Sequence, residues 1–241
     1  MRRRTATLAI VALATLAARS SAAPLATDAP DSAVNPKSGK IEIADPVWSG
    51  SSQDINYVIQ GPGAAPKVQV VTADPLDDER PRLAIAASGD AWVVWWRDDV
   101  TDRVMARKRS YATGAWSAER TVSLVGESSR NPHVVHDGVQ AWVAYEIDQG
   151  SGCGVGVGVI TDEPDPIDCS VVAATTFSGS LDLLIHAAPG RLWVTWVDGP
   201  TTVGWSQRDA ASGLWSAAAY ESAIDGVPEA RARIEATVLA P

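Results

Sequence analysis

The chain has 241 residues, of which 46% are hydrophobic, and its formal net charge is -9. This hydrophobic fraction is ordinary for a globular protein, and the length suits a single domain once short terminal segments are set aside. An acidic surface repels phosphate backbones and anionic lipid heads, so the composition argues against nucleic acid and membrane surfaces as partners.

The N-terminus has the pattern of an export signal. Three arginines after Met1 precede an apolar run over residues 5–18 and then small residues before Pro24. This order predicts a secretory signal peptide at residues 1–23, and the run is too short to span a bilayer. No later segment approaches the length of a membrane span, so we expect a soluble chain that is secreted, periplasmic or extracellular.

The segment after the signal is rich in Ala, Pro, Asp and Ser and has almost nothing to bury. It predicts a disordered linker over residues 24–40. The folded domain is then expected at residues 41–241.

Three apolar strands that end in paired aromatics form a repeat, with their last aromatics at Trp95, Tyr145 and Trp196. A period of about 50 residues is typical of a β-propeller, in which each repeat is one four-stranded blade. Turn residues divide each repeat into four short strands, and the repeated tryptophans are expected in the core. In the first repeat these strands are predicted at residues 82–87, 91–96, 103–110 and 120–124.

The two ends of the array look complementary. Residues 55–60 and 67–72, together with the segment around Trp48, resemble the last three strands of a blade that lacks its first. Residues 230–239 resemble a first strand with nothing after it. We therefore predict an all-β propeller of four blades, closed by a composite blade that leaves no exposed sheet edge. Two alternatives stay open, a shortened form of a larger propeller and a ring completed by two copies.

Two turns carry a family resemblance. Residues 110–117 (Ser-Tyr-Ala-Thr-Gly-Ala-Trp-Ser) and residues 209–216 (Asp-Ala-Ala-Ser-Gly-Leu-Trp-Ser) resemble the Asp-box, or BNR, turn of sialidase-like propellers. Ala112 and Ala211 stand where the box has its Asp, and the second repeat has no box. Arg80-Pro81 and Arg130-Asn131-Pro132 resemble the Arg-Ile-Pro element of the same family. The resemblance implies a folding role for the turns, with Trp116 and Trp215 plugging the blade.

The two cysteines, Cys153 and Cys169, flank a Gly-Val repeat and an acidic turn in the repeat without a box. An even pair in an exported chain favours a disulfide over a metal site, and antiparallel pairing of the flanks would bring the sulfurs together. The predicted disulfide replaces the missing turn plug. No zinc-binding spacing can be assembled from these cysteines and three scattered histidines.

The candidate ligand-binding residues lie on the loops that lead out of the second strand and into the first strand of each blade. These loops share one face of a propeller, and they combine both charge signs with a histidine. Three carboxylates at 50-residue intervals could also hold Ca²⁺, although solvated loop ends explain them as well. No other cofactor is expected. The candidates are Arg82, Asp98, His133, Asp148 and Asp198.

The function expected from these patterns is a secreted recognition module without catalytic activity, which binds a glycan or an extracellular protein. A divergent sialidase-like glycoside hydrolase and a structural envelope protein are the alternatives. The resemblance would require three arginines around a carboxylate, a Tyr nucleophile with its Glu, and an acid Asp. No Tyr-Glu pair can be placed in the array, so no residue is assigned a catalytic role.

Overall fold

The computed structural model describes residues 29–124, 126–148, 153–160, 169–174, 183–188, 191–198 and 201–222. These residues form sixteen strands in four antiparallel four-stranded sheets, and in each sheet the strands lie side by side in chain order. Within this part of the chain, no helix has the length and apolar character needed to cross a membrane. The expected all-β architecture is therefore confirmed.

The first two sheets come from the N-terminal half. Sheet 1 contains β1 (Asp31–Val34), β2 (Ile41–Trp48), β3 (Gln53–Gln60) and β4 (Lys67–Val70). Sheet 2 contains β5 (Asp77–Ile85), β6 (Ala91–Asp98), β7 (Arg103–Arg109) and β8 (Arg120–Thr121).

The other two sheets repeat the pattern. Sheet 3 contains β9 (Ser128–His136), β10 (Ala141–Asp148), β11 (Cys153–Ile160) and β12 (Cys169–Ala174). Sheet 4 contains β13 (Leu183–Ala188), β14 (Arg191–Val197), β15 (Thr202–Arg208) and β16 (Ala219–Ser222). The first strand of each sheet packs on the first strand of the next, so β1, β5, β9 and β13 are the inner strands of the array.

Each pair of neighbouring sheets encloses one apolar layer, because successive side chains of a strand point to opposite faces. The repeated aromatics fill these layers. Trp95, Tyr145 and Trp196 are fully buried, and Trp92 and Trp142 are nearly so. The prediction that the repeated aromatics belong to the core is confirmed.

Glycine makes room for two of these rings. Gly156 lies opposite Tyr145 and Gly204 lies opposite Trp196 in the strand registers. A Cβ on Gly156 would stand 2.6 Å from the Tyr145 ring, and one on Gly204 would overlap the Trp196 ring. Glycine at position 156 of β11 is therefore required by the packing of Tyr145 on the neighbouring strand.

Sheet 1 corrects two expectations. Residues 31–34 form β1 instead of continuing a disordered linker, so sheet 1 has its own inner strand and needs no composite closure. Polar contacts hold this strand in place. It has few apolar residues, so the apolar pattern that predicts strands did not indicate it. The buried Asn35 donates from Nδ2 to Glu42 Oε1 and to the carbonyl of Gly89 in sheet 2, each at 2.9 Å. Residues 1–23 and 230–239 lie outside the described residues.

The pairing of β11 with β12 also bears on the cysteines. The flanks pair antiparallel as expected, but Cys169 lies opposite Gly158, five positions beyond Cys153 on β11. At about 3.3 Å per residue, the two Cα atoms are separated by about 16 Å along the strand. A disulfide needs a Cα separation below about 7 Å, so the predicted bond does not fit this register.

The two Asp-box-like turns have the same backbone geometry. Gly114 N donates to the Ser110 carbonyl at 2.8 Å, and Gly213 N donates to the Asp209 carbonyl at 2.9 Å. Both glycines have a positive φ, which a tight turn of this shape requires.

The tryptophans of the two turns pack on the preceding sheet. Trp116 packs edge-on against Tyr57 of sheet 1, with ring centroids 5.2 Å apart. Trp215 packs edge-on against Trp142 of sheet 3, at 6.5 Å. Each ring therefore joins two sheets, and the turns serve folding.

Candidate binding site

The inner strands of sheets 2 and 3 carry the same backbone irregularity. The register of β5 on β6 shifts between Glu79 and Arg82, and β9 shifts on β10 at the equivalent place. At the two bulges Arg80 has a φ of 51° and Asn131 a φ of 52°, and each precedes a proline. A side chain in this left-handed region is uncommon, and such strain is concentrated at functional sites.

The two bulges meet through their side chains. Arg80 Nη1 donates to Asn131 Oδ1 across the boundary between sheets 2 and 3. The Arg80 guanidinium carbon also lies over the Trp96 ring, 5.7 Å from its centroid. A cation over an indole face is attracted by the ring's quadrupole, so this contact holds Arg80 against sheet 2 while its hydrogen bond reaches sheet 3.

A buried carboxylate completes the group. Glu146 is fully buried, and its Oε1 accepts from Arg130 Nε at 3.0 Å and Nη2 at 2.8 Å. Its Oε2 accepts from Asn131 Nδ2 at 2.5 Å. Arg80, Trp96, Arg130, Asn131 and Glu146 thus form one connected set, which we call the bulge cluster.

Two buried polar atoms, one within the bulge cluster and one next to it, lack a hydrogen-bond partner among the described residues. They are the indole nitrogen of Trp96 and the hydroxyl of Ser129. Buried donors in native proteins are nearly always satisfied, by protein, water or a ligand. Trp96 opposes Glu79 at the first bulge, and Ser129 immediately precedes Arg130.

A second buried ion pair, between Arg97 and Asp78, lies next to the first bulge. Arg97 Nε donates to Asp78 Oδ1 at 2.7 Å and Nη2 donates to Asp78 Oδ2 at 2.9 Å, while Trp95 Nε1 donates to Oδ1 at 2.7 Å. Arg97 also contacts Asp74 and Glu119. Burial by itself lowers the pKa of Arg97, but its three carboxylate partners raise the pKa above the ordinary value.

The sequence-predicted residues divide into two groups. Arg82 and His133 occupy equivalent positions on the neighbouring inner strands β5 and β9, directly after the bulges. Asp98 and Asp148 are the exposed last residues of β6 and β10, and Asp198 follows β14 directly. Arg82 and His133 therefore belong to neighbouring inner strands, and the three aspartates belong to three different sheets.

Two of these three aspartates have a raised pKa. Burial raises the pKa of Asp98, and the neighbouring Asp102 and Asp77 raise it further. Burial also raises the pKa of Asp198. Within the described ranges no group of three or more His, Cys, Asp and Glu side chains is placed so that it could hold a metal ion.

Sequence reasoning did not select the members of the bulge cluster as binding residues. The pattern that could have indicated the cluster is a polar residue followed by proline, which occurs at Arg80-Pro81 and again 51 residues later at Asn131-Pro132. A charged or amide residue before a proline at a repeated inner-strand position marks both bulges. The contact of Arg80 with Asn131 crosses between sheets, so no local pattern could have indicated it.

A separate cleft of about 470 Å³ lies between sheets 2 and 3 at the opposite end of the strands. Lys108 Nζ lies 5.1 Å from the Trp92 ring centroid and 3.9 Å from Asp90 Oδ2. His136 also lines the cleft, and its Nδ1 accepts from Gly138 N at 3.1 Å. Trp92, which is only 5% exposed, also lines the cleft.

Comparison with known proteins gives similarity at the level of fold. No protein-family model matches the chain, and no curated protein matches it either. A protein of unknown function from Dyadobacter fermentans is 13% identical with a TM-score of 0.53, over 70% of this chain and 48% of that chain. This chain therefore spans about half the length of that structure, and the likeness shows the fold alone.

Two carbohydrate-active enzymes are more distant structural neighbours. An exo-β-1,3-galactanase from Phanerochaete chrysosporium, with β-1,3-galactotriose, is 12% identical with a TM-score of 0.48, over 75% of this chain and 47% of that chain. An α-L-arabinanase from Penicillium chrysogenum, complexed with arabinobiose, is 10% identical with a TM-score of 0.48, over 83% of this chain and 78% of that chain.

Proposed function

We propose that this chain is an exported carbohydrate-recognition module with a propeller arrangement, and that it binds its glycan at the bulge cluster without cleaving it. The observation that carries the proposal is the placement of Arg80 between the Trp96 ring and Asn131 of the next sheet. An aromatic face, guanidinium groups and an amide within one group supply the stacking surface and the hydrogen bonds that sugars require.

Among the described residues the indole nitrogens of Trp96, Trp116, Trp193 and Trp196 are buried without a partner, and that of Trp96 is the one in the bulge cluster. A sugar hydroxyl accepts a hydrogen bond from such a donor and can donate another in return. The strained backbone at Arg80 and Asn131 supports the same assignment, because strain of this kind persists where the surrounding structure holds a functional geometry.

Binding is favoured over hydrolysis by the state of Asp78 and Glu146, the buried carboxyl groups next to the two bulges. Glycoside hydrolysis by the usual scheme needs one carboxyl that donates a proton and a second that is free to act as base or nucleophile. Here the oxygens of Asp78 and Glu146 are both occupied by arginine, together with an indole and an amide donor. Neither group is free for proton transfer.

The test is a glycan array followed by calorimetry with the glycan that binds best. Trp96→Ala should weaken binding by at least about tenfold, because stacking and a donor are lost together. Trp48→Ala is the matched control, since Trp48 is 48% exposed at the end of β2 and lies outside the cluster. It should bind as the unaltered protein does.

Two results would oppose the proposal. One is an array with no bound glycan, and the other is equal loss of binding in the two tryptophan variants. Release of sugar from a fluorogenic sialoside or from the bound glycan would instead establish the hydrolase alternative. Far-UV circular dichroism of each variant establishes that loss of binding does not reflect unfolding.

A further inference from the structure

A cleft lies at each boundary between neighbouring sheets, and the three clefts differ in size. The cleft between sheets 1 and 2 has a volume of about 230 Å³, and the cleft between sheets 3 and 4 has about 220 Å³. We call these two the flanking clefts. The cleft between sheets 2 and 3, which we call the middle cleft, has about 470 Å³. This volume lies in the range of small-molecule binding sites, about 300–1,000 Å³.

One strand position explains why the middle cleft is larger. In sheets 2 and 4 the third strand has an arginine, Arg109 or Arg208, opposite the residue that precedes the first repeated tryptophan. Each guanidinium lines a flanking cleft and lies over a ring of the preceding sheet, Arg109 at 5.5 Å from the Tyr57 centroid and Arg208 at 4.8 Å from the Trp142 centroid. In sheet 3 the same position holds Ile160. Among the described residues that line the middle cleft there is no arginine.

The middle cleft carries a cation and a hydrogen-bond donor. Lys108 Nζ lies 5.1 Å from the Trp92 ring centroid, and its distance of 3.9 Å from Asp90 Oδ2 is longer than a hydrogen bond. The Nδ1 of His136 accepts from Gly138 N at 3.1 Å. In the neutral imidazole the proton is then on Nε2, which makes Nε2 a donor. An ammonium group and an N–H donor in one cleft suit a carboxylate ligand.

The rest of the lining is mainly apolar and includes Ala86, Val159 and Ile160. Ala86 and Ile160 are buried. Such a surface favours a ligand with an apolar group, because contact with it removes apolar area from water.

Two other ligand classes fit the middle cleft less well. A cationic ligand would be repelled by Lys108, which also lines the cleft. A neutral sugar needs an aromatic face on which to stack, and here the Trp92 ring is nearly fully buried with Lys108 over it.

We propose that the middle cleft binds a small amphipathic carboxylate, whose anionic group contacts Lys108 and His136 and whose apolar group packs against Ala86 and Ile160. This site is separate from the bulge cluster and does not depend on the proposed glycan binding. It exists because sheet 3 has Ile160 where sheets 2 and 4 have the arginines that occupy the flanking clefts.

The test is an NMR titration of the full chain with phenylacetate as the probe and phenylacetamide as its neutral analogue of similar shape. Phenylacetate should bind saturably and shift the imidazole resonances of His136. Phenylacetamide should bind at least about tenfold more weakly, because it lacks the charge that strengthens the hydrogen bonds. Equal affinity for the two compounds would overturn the proposal, and so would the absence of saturable phenylacetate binding.

A pair of lysine variants tests the position of the carboxylate. Lys108→Gln should weaken phenylacetate binding by about tenfold or more, because the ligand loses its counter-charge. Lys67→Gln is the matched control, since it removes the same charge from a flanking cleft. It should bind phenylacetate as the unaltered protein does. Equal affinity of the two variants would overturn the proposal.

A third variant tests the volume of the middle cleft. Ile160→Arg introduces the side chain that Arg109 and Arg208 place in the flanking clefts. It should abolish phenylacetate binding although it adds a positive charge, because the guanidinium then occupies the space of the ligand. Tighter binding by Ile160→Arg would contradict the proposal and indicate general attraction of anions. If far-UV circular dichroism shows that this variant does not fold, the lysine pair decides the question.

Discussion

The Asp31 carboxylate on the inner strand of sheet 1 accepts a hydrogen bond from the backbone amide of Leu83 on the inner strand of sheet 2, with Oδ2 and N 2.8 Å apart. His133 makes the equivalent contact from sheet 3 to sheet 4, where its Nδ1 accepts from Ile185 N at 3.4 Å. Each contact joins residues 52 apart in the sequence. Equivalent side-chain hydrogen bonds therefore hold one inner strand to the next at two places in the array.

The Asp31 contact predicts a measurable effect on stability. Asp31→Ala should lower the free energy of unfolding by about 1–3 kcal/mol, because the amide of Leu83 loses a charge-assisted acceptor at a partly buried position. Urea denaturation measures the change. Asp77→Ala is a suitable comparison because Asp77 starts the same inner strand as Leu83 and accepts instead from Gln53 N. Hydrogen exchange at Leu83 should accelerate only in Asp31→Ala, and unchanged exchange there would contradict the assignment.

Removing the guanidinium of Arg97 should destabilise the protein strongly. Arg97→Met leaves the fully buried Asp78 without its cation, and breaking a buried pair from one side costs about 3–5 kcal/mol. The double variant Arg97→Met with Asp78→Leu should recover part of this loss, since no unpaired charge then remains at this pair, although Trp95 Nε1 loses its acceptor. Chemical denaturation of the single and double variants provides the test. A double variant no more stable than Arg97→Met would show that the charge of Asp78 is not the cause.

Stability should fall as the pH is lowered past the ordinary pKa of His136. Burial lowers the pKa of His136, nearby Asp137 raises it, Lys108 lowers it and Asp90 raises it, with a net decrease from 6.5. Because the folded-state pKa lies below the unfolded value, the unfolded state binds more protons between the two values. The stability that neutral His136 contributes is therefore fully present above about pH 6.5, and it is lost as the pH falls through the folded-state pKa.

Thermal denaturation from pH 8 to pH 5 measures this effect, and His136→Gln should lose less stability over that range than the unaltered protein. In Lys108→Gln the pKa of His136 should rise, because a neighbouring positive charge is removed. NMR titration of the imidazole reports both values. A pKa of His136 at or above 6.5 in the unaltered protein would refute the prediction.

The aromatic rings opposite glycine predict an overpacking effect. Gly156→Ala places a methyl group 2.6 Å from the fully buried Tyr145 ring, so the free energy of unfolding should fall by about 1–3 kcal/mol or more. Gly61→Ala is the control, because its Cβ would meet nothing closer than 3.6 Å. It should be neutral or slightly stabilising through the unfolded state. Equal stability of the two variants, measured by urea denaturation, would show that the sheets adjust without cost.

Short-range patterns in the sequence determined most of the strands. The strands predicted at residues 91–96 and 103–110 correspond to β6 and β7. Apolar runs bounded by Gly, Asp and Ser specify strands because burial and turn geometry are set within a few residues. The burial of Trp95 and Trp196 followed from the same reasoning, since a large aromatic at a repeated strand position has to fill a layer between sheets.

Tertiary structure decided which polar residues meet. The strand at Asp31–Val34 is stabilised by Leu83 and Gly89 of the next sheet, so its own composition predicts only a linker. The bulge cluster depends on Arg80 reaching Asn131, 51 positions later, and hydrogen bonds of this range exist only after the sheets have packed. Packing between sheets also fixes the strand registers, because a shift of one residue along a strand exchanges its buried and exposed faces. Local patterns thus specify the repeated sheets, and packing between the sheets brings together the residues of the bulge cluster.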